Sequence, residues 1–314
     1  MLPSPSDLGV VVVTHQSSRD LEACVRALLD HQGDLEPRLV VSDAGSTDGV
    51  AELAARLPLH FLPGPNRGFA AAVNRALADP ALAGARWVLL VNPDVRMVEG
   101  SLSQLLARCD ALPPVAIATV RTVDQHGDLV LNLGRPVSLR QWMRMALRGV
   151  GGDWYSEPER YAGEATAAWA AGSFLLVRRD VLDDLGGLDE RFFLYSEEVD
   201  LCARARQAGW QVRYLPSATV VHPLAGRSLD AHQIRLLAWS RLVYLRKWHR
   251  APARLALRAA RVLMILRSLV QDMLRGISPR AQWTELLATL RFDPARYGAA
   301  PLPEGRRTRP VPTR

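Results

Sequence analysis

The stretch LGVVVVTHQSSRDLEACVRALLDHQGDLEPRLVVSD, residues 8–43, decides the fold. Its first seven residues are a continuous apolar run bounded by polar ones, the pattern of a strand buried on both faces. Leu21, Val25, Leu28 and Leu29 then share one face at helical spacing. RLVVSD follows as a second buried strand ending at Asp43. Strand, helix and strand in this order form the unit of a parallel sheet.

Working outward, the turn AGSTDG leads to a helix starting near Asp48, and LHFLPG gives a third short strand to Leu62. NRGFAAAVNRALA is helical after Gly68, and ARWVLLVNPDV gives a fourth strand ending at Asn92 to Asp94. This alternation predicts an α/β domain with a mostly parallel, doubly wound sheet flanked by helices. Such sheets bind ligands beyond the carboxyl ends of their strands, where Thr14, Asp43 and Asp94 sit. Further on, Ser101 to Cys109 reads as a helix and VAIATV as a strand. Residues 124–165 read as irregular, a candidate acceptor loop, and AAWAAGSFLLVRRD as a strand leading to a helix at Asp180.

Residues 186–222, GGLDERFFLYSEEVDLCARARQAGWQVRYLPSATVVH, concentrate the chemistry. Gly186 and Gly187 open a turn, and Phe192, Phe193 and Tyr195 form an aromatic cluster. Ser196 is expected to cap a helix whose first turn holds Glu197, Glu198 and Asp200, and which stops near Gly209. One strand is expected from Gln211 to Leu215, and a second short one ending at His222. A carboxylate cluster and a histidine so placed suit a base and a metal ligand in one cleft, although the macrodipole alone also favours acids in a first turn.

The totals bound the alternatives. At 314 residues, 48% hydrophobic and 23% charged, the chain is globular and can hold one large domain with an appendage. Cys24, Cys109 and Cys202 lack metal-type spacing, which predicts reduced thiols and a cytoplasmic chain. No signal peptide and no 18-residue apolar run is evident. From Arg227 onward there are 18 Lys/Arg against five Asp/Glu, of 39 and 32 in the whole chain, so an acidic body carries a basic C-terminal part. Arg254, Arg258 and Arg261 fall on one helical face there; Leu255, Val262, Leu266, Leu269 and Met273 populate the other, interrupted by Arg267. That pattern suits an anionic membrane surface on the basic side, or a helix whose apolar side packs on the catalytic domain. A nucleic-acid partner is not expected.

Asn92-Pro93-Asp94 leaves the sheet after a buried strand, because Pro93 cannot continue it, and Asp94 could hold a divalent cation on a pyrophosphate. The loop after Asp43 could wrap a base and ribose, and Asn66, Gly68 and Asn74 lie near a helix start that favours polar or anionic ligands. The same pieces also make ordinary Asx and glycine turns. Neither GxGxxG nor GxxxxGK[ST] occurs, so dinucleotide-cofactor and P-loop chemistry are unsupported.

In this order and spacing, VVVTHQSSRDLEACVRALLDHQ, VVSDAGSTDG, NRGFAAAVNRAL, WVLLVNPDV and the 186–222 stretch resemble the inverting family 2 glycosyltransferases, in their bacterial rhamnosyltransferase-like branch. The resemblance covers roughly residues 8–228 and implies a GT-A fold: a catalytic domain over residues 1–228, a basic helical extension over 229–292 and a disordered tail over 293–314. It implies a nucleotide-sugar site with Thr14 beside the base, Asp43 on the base, and Asn66, Gly68, Asn74, Asn92 and Asp94 around the donor. Asp94 and His222 would hold Mn2+ or Mg2+, and Glu198 would be the catalytic base. Three positions depart from the family pattern: Asn92 stands for the first aspartate of DxD, Ala44 for an asparagine after Asp43, and Glu198 for the usual aspartate.

The implied reaction moves a sugar, L-rhamnose from dTDP-L-rhamnose, to a polyprenyl-diphosphate-linked or cell-envelope glycan, by an enzyme peripheral on the inner face of the plasma membrane. The alternatives are a UDP-sugar-dependent galactofuranosyl or N-acetylglucosaminyl transferase, and a non-catalytic relative that binds a nucleotide. The joint presence of Asp43, Asp94, Glu198 and His222 argues against the last.

Overall fold

Every residue of the first strand is buried, as its apolar run requires. A computed structural model describes residues 7–112, 114–148, 153–223 and 229–292; the expected tail over 293–314 lies outside them. The first half runs β1 (Leu8–Thr14), α1 (Ser18–Asp30), β2 (Arg38–Ala44), α2 (Val50–Ala54), β3 (His60–Gly64), α3 (Phe69–Leu77), β4 (Trp87–Val91), β5 (Arg96–Glu99) and α4 (Leu102–Asp110). Next come β6 (Val115–Val123), β7 (Leu133–Gly134), α5 (Leu139–Arg148), α6 (Glu159–Ala162), β8 (Ala165–Ala167), β9 (Trp169–Ala170), β10 (Phe174–Arg178) and α7 (Arg179–Asp184). The chain continues with α8 (Glu197–Gln207), β11 (Gln211–Val221), α9 (Ala231–Trp248), α10 (Ala251–Leu274) and α11 (Arg280–Leu290).

Among the described residues, nine strands form one sheet in the order β3-β2-β1-β4-β10-β6-β11-β5, with β8 also on β11. β3, β2, β1 and β4 are parallel, as are β6 and β11, whereas β10, β5 and β8 run against them. Side chains alternate across the sheet. Val10 and Val12 therefore join Trp87, Leu89 and Phe174 on one face, under α1 and α4. Val11 and Val13 join Val88, Leu90 and Leu175 on the other, under α3, α7 and α8. Each fully buried leucine or valine contributes roughly 1.5–3 kcal/mol, which pins this register.

Four expectations change. The strands to Leu215 and His222 are one strand, β11, whose register shifts between Leu215 and Thr219, around Pro216. The segment read as irregular holds α5, which shares a core with α9 and α10 through Trp142, Ala146, Leu242, Leu257 and Met264. Ser196 stands before α8 in a left-handed conformation, φ 66°, and its side chain makes no cap. Finally, the arginine side of α10 is engaged within the fold: Arg258 donates to the carbonyls of Thr289 and Leu290, and Arg261 bonds Glu285 at 2.8 Å. The reason is that α11 folds back along α10 and presents its orphan C-terminal carbonyls, which attract a guanidinium. Leu255, Leu266 and Met273 are left exposed, while Leu269 is buried.

Candidate active site

Sheet register builds the first half of the site. Thr14 pairs with Asp43 across β1 and β2, and Val12 with Val91 across β1 and β4. Asp43, Thr14 and the Asn92–Asp94 turn therefore stand in one row at the carboxyl end of the sheet. Asp43 is buried and its carboxylate accepts from Thr14 Oγ1 at 2.8 Å, Ser46 Oγ at 2.5 Å and Ser46 N at 2.9 Å. Thr14 is fully buried, and its hydroxyl fixes the direction of the Asp43 carboxylate. Behind Asp43, the Arg75 guanidinium donates to its carbonyl and, at 2.9 Å, to Ser42 Oγ. Asp48, expected near the start of α2, instead accepts from Ser18 N at the start of α1.

The glycine loop also braces the fold. Asn66 accepts from Gly68 N at 3.1 Å in a local turn. Gly68 has φ +94°, and a Cβ there would lie 2.2 Å from the Phe193 carbonyl oxygen. Phe69 N donates to that same oxygen at 2.7 Å. Asn74 donates to Leu188 O and Glu190, and accepts from Leu188 N at 2.9 Å. The loop and α3 thus clamp residues 188–193, which lead directly into α8.

The second half of the site comes from strand ends that meet antiparallel. Val221 of β11 pairs with Arg96 of β5, so His222, just past β11, meets Asp94, just before β5. His222 Nε2 lies 3.3 Å from Asp94 Oδ2. A carboxylate and an imidazole so placed could together contribute to holding a divalent cation. Among the described residues no third His, Cys, Asp or Glu joins the pair. Asn92 N donates to Ser173 O, which ties this row to the loop carrying Gly172.

That loop leads to the carboxylates. Gly172 lies against Glu198, so a Cβ there would be 3.5 Å from Glu198 Cβ. Tyr195 and Ser196 both have left-handed backbones, φ 69° and 66°. For non-glycine residues this is strained. Ser240 of α9 holds the strained turn through its hydroxyl on the Tyr195 carbonyl. Glu198 then lines a cavity of about 260 Å3 together with Trp154, Trp169, Tyr195, Arg241 and Tyr244. Among the described residues, Glu198 Oε2 and Glu197 Oε2 have no hydrogen-bond partner. Burial pushes the Glu198 carboxyl from its ordinary 4.5 to about 7. Burial, and then the neighbouring Glu198 charge, raises Glu197 well above its ordinary value. Trp154 and Trp169 stand 4.4 Å apart, and Arg241 is paired with Asp153 at 3.1 Å.

The structure therefore joins Asp94 with His222 and sets Glu198 on an aromatic cavity, while Asn74 and Gly68 serve as braces. Sequence reasoning missed the two tryptophans, Gly172 and Arg241. Arg241 was one arginine among many in the basic part, and the tryptophans lay in or beside the segment read as irregular.

A sequence profile described as "Glycosyltransferase like family 2" matches residues 5–241. The chain belongs to glycosyltransferase family 2. Its rhamnosyltransferase-like character appears in a relative from Mycobacterium tuberculosis (strain ATCC 25618 / H37Rv), N-acetylglucosaminyl-diphospho-decaprenol L-rhamnosyltransferase. This relative is 33% identical over 282 residues, 82% of the present chain and 91% of its own. Among solved structures, mannosyltransferase PcManGT from Pyrobaculum calidifontis in complex with GDP-Man and Mn2+ superposes with TM-score 0.55 at 18% identity, covering 91% of this chain and 87% of its own. GalNAc-T7 with UDP, GalNAc and Mn2+ superposes with TM-score 0.58 at 12% identity, covering 77% of this chain and 48% of its own. Both carry the GT-A fold expected of this glycosyltransferase.

Proposed function

We propose that this glycosyltransferase moves L-rhamnose, with inversion, from dTDP-L-rhamnose to a polyprenyl-diphosphate-linked sugar. The observation that carries the reading is Glu198: a carboxylate with an unpartnered oxygen and an ionisation raised to about 7, lining the aromatic cavity. A general base works best with its ionisation near the operating pH. In this reading the acceptor sugar stacks on Trp154 and Trp169, and its hydroxyl attacks the anomeric carbon from the face opposite the nucleotide. Glu198 takes the hydroxyl proton as the bond to the nucleoside diphosphate breaks.

Asp43, aimed by Thr14 and Ser46, meets the base, and Asn66, Asn92 and Asp94 lie around the donor. Asp94 and His222 would hold Mn2+ or Mg2+, which when bound stabilises the charge on the departing diphosphate. The Mn2+ named in the two superposed structures and the lipid-linked substrate named for the mycobacterial relative support this assignment. A lipid-linked acceptor supports a peripheral position on the cytoplasmic face of the membrane, where the nucleotide sugar is met.

The test is a transfer assay with a panel of nucleotide sugars, dTDP-, UDP- and GDP-linked, on a lipid-linked N-acetylglucosamine acceptor. Rhamnose transfer from dTDP-L-rhamnose, with inverted configuration by NMR, is expected. Transfer from a UDP-sugar alone would overturn the donor assignment.

A further inference from the structure

Among the described residues, most of the large apolar side chains that remain exposed lie on three helices. On α10 they are Leu255 and, at three- and four-residue spacing on the same side, Leu263, Leu266, Val270, Met273 and Leu274, with Leu255 69% and Leu274 83% exposed. On α5 they are Leu139, Met143 and Leu147, again at four-residue spacing, Leu147 being 66% exposed. Arg267 of α10 donates to Leu147 O at 3.2 Å, which brings the end of the α5 stripe beside the α10 stripe. On α11, Trp283 is 48% exposed and follows Gln282, which bonds Asp272 next to Met273. Patches of this extent on a soluble face mark an interaction surface.

Charge identifies the partner. Arg140, Arg144 and Arg148 run along α5 beside the apolar stripe, exposed, with no ion pair among the described residues. Arg275 and Arg280 are exposed at the α10–α11 turn. Apolar side chains bordered by unpaired arginines match the boundary between acyl chains and anionic headgroups. No described helix is long and apolar enough to cross a membrane.

We propose that the α5–α10–α11 face is an interfacial membrane-binding surface that inserts its apolar ridge into an anionic bilayer. The proposal rests on the lipid-linked acceptor and supplies its geometry. α5 is two-sided: Trp142 lines the Glu198 cavity, while Leu139, Met143 and Leu147 face out. Insertion of the ridge therefore holds the acceptor cavity next to the lipid that carries its substrate. This differs from tethering by Arg254, Arg258 and Arg261, since Arg258 and Arg261 are bound to α11.

The test uses the full chain and vesicles of equimolar phosphatidylglycerol and phosphatidylethanolamine, with phosphatidylcholine vesicles as the comparison. Wild type should sediment with the anionic vesicles and remain partly bound at high salt, because apolar insertion is not screened. The combined variant Leu147→Glu, Val270→Glu and Leu274→Glu should bind about tenfold or more weakly at both salts. Arg140→Gln, Arg144→Gln and Arg148→Gln together should weaken binding at low salt only. Trp283 fluorescence should shift to the blue on vesicles and be quenched by brominated acyl chains, and Trp283→Phe should remove that change. Donor hydrolysis in detergent-free buffer should be the same in the triple glutamate variant and wild type. Loss of hydrolysis in both would count against the catalytic reading and leave vesicle binding to be judged separately. Vesicle binding by the glutamate variant equal to wild type overturns the proposal, as does a wild-type dimer in solution that the same variant splits.

Discussion

At the scale of single residues, the telling feature is a half-buried carboxylate with one unpartnered oxygen on the wall of a cavity. Leaving Glu198 Oε2 unbonded costs stability, and burial holds its carboxyl up at about 7. As base it must be ionised, so kcat/KM should rise with pH and level off above about 7. Glu198→Gln should cut kcat by about 100- to 10,000-fold, with donor affinity nearly unchanged; a dead Glu197→Gln beside an active Glu198→Gln would show the wrong carboxylate was chosen. Linkage adds a second readout with a defined sign. A carboxyl raised from 4.5 to about 7 contributes stability below its ordinary value, and that contribution is lost as pH rises through about 7. Glu198→Gln should therefore melt higher than wild type at roughly pH 8 and nearly the same at roughly pH 4. Equal melting curves at the higher pH would show that Glu198 is solvated. At the donor end, Asp94→Asn should abolish the stimulation of transfer by Mn2+ or Mg2+ without lowering the melting temperature. Full metal-stimulated activity in that variant would remove Asp94 from the cation site.

At the scale of elements, the site is a product of strand ends and one clamp. The parallel strands were legible because a strand buried on both faces must be apolar throughout, as in LGVVVVT, and the row Asp43, Thr14, Asp94 followed from where those runs stop. The meeting of Asp94 with His222 was not derivable from spacing, since it depends on the antiparallel pairing of β5, a four-residue strand, with β11. α5 was missed because it is apolar on two faces, one packed on α10 and one exposed, which blurs a single-sided pattern. Nor did the sequence mark the left-handed turn at Tyr195 and Ser196, where glycine is absent. The direction of Arg258 and Arg261 depends on α11 folding back, a contact no local pattern encodes. The clamp yields an element-level prediction. Gly68→Ala forces a Cβ onto the Phe193 carbonyl at a positive φ, and should cost on the order of 1–3 kcal/mol. Because the displaced segment leads into Glu198, transfer should fall along with stability. A variant as stable and active as wild type would mean that α3 does not set the position of α8.

At the scale of the whole molecule, α9 is bonded tightly to α8, the helix that carries Glu198. Lys247 Nζ lies 2.6 Å from both Asp189 and Asp200, Trp248 Nε1 donates to Asp200 at 2.9 Å, and Ser240 holds the Tyr195 turn. Asp200 is fully buried, so it needs these donors together with Arg204. Burial alone would push the Asp189 carboxyl up, but hydrogen bonds from Arg191 and Lys247 overturn that and hold it well below the usual carboxylate range. Lys247→Met keeps the apolar stem and removes the charge. Breaking so enclosed a pair should cost on the order of 3 kcal/mol, read by urea unfolding at neutral pH. The pH dependence fixes the cause. A depressed Asp189 contributes stability above its ordinary ionisation and loses it as pH falls through its lowered native value. Without Lys247 the native value moves back up, less stability is left to lose on acidification, and the gap between variant and wild type should close as the pH falls. A gap independent of pH would point to packing in place of charge. Two separate urea transitions in wild type, one for residues before 229 and one after, would show that the extension folds as its own unit and that these contacts do not couple it to the site.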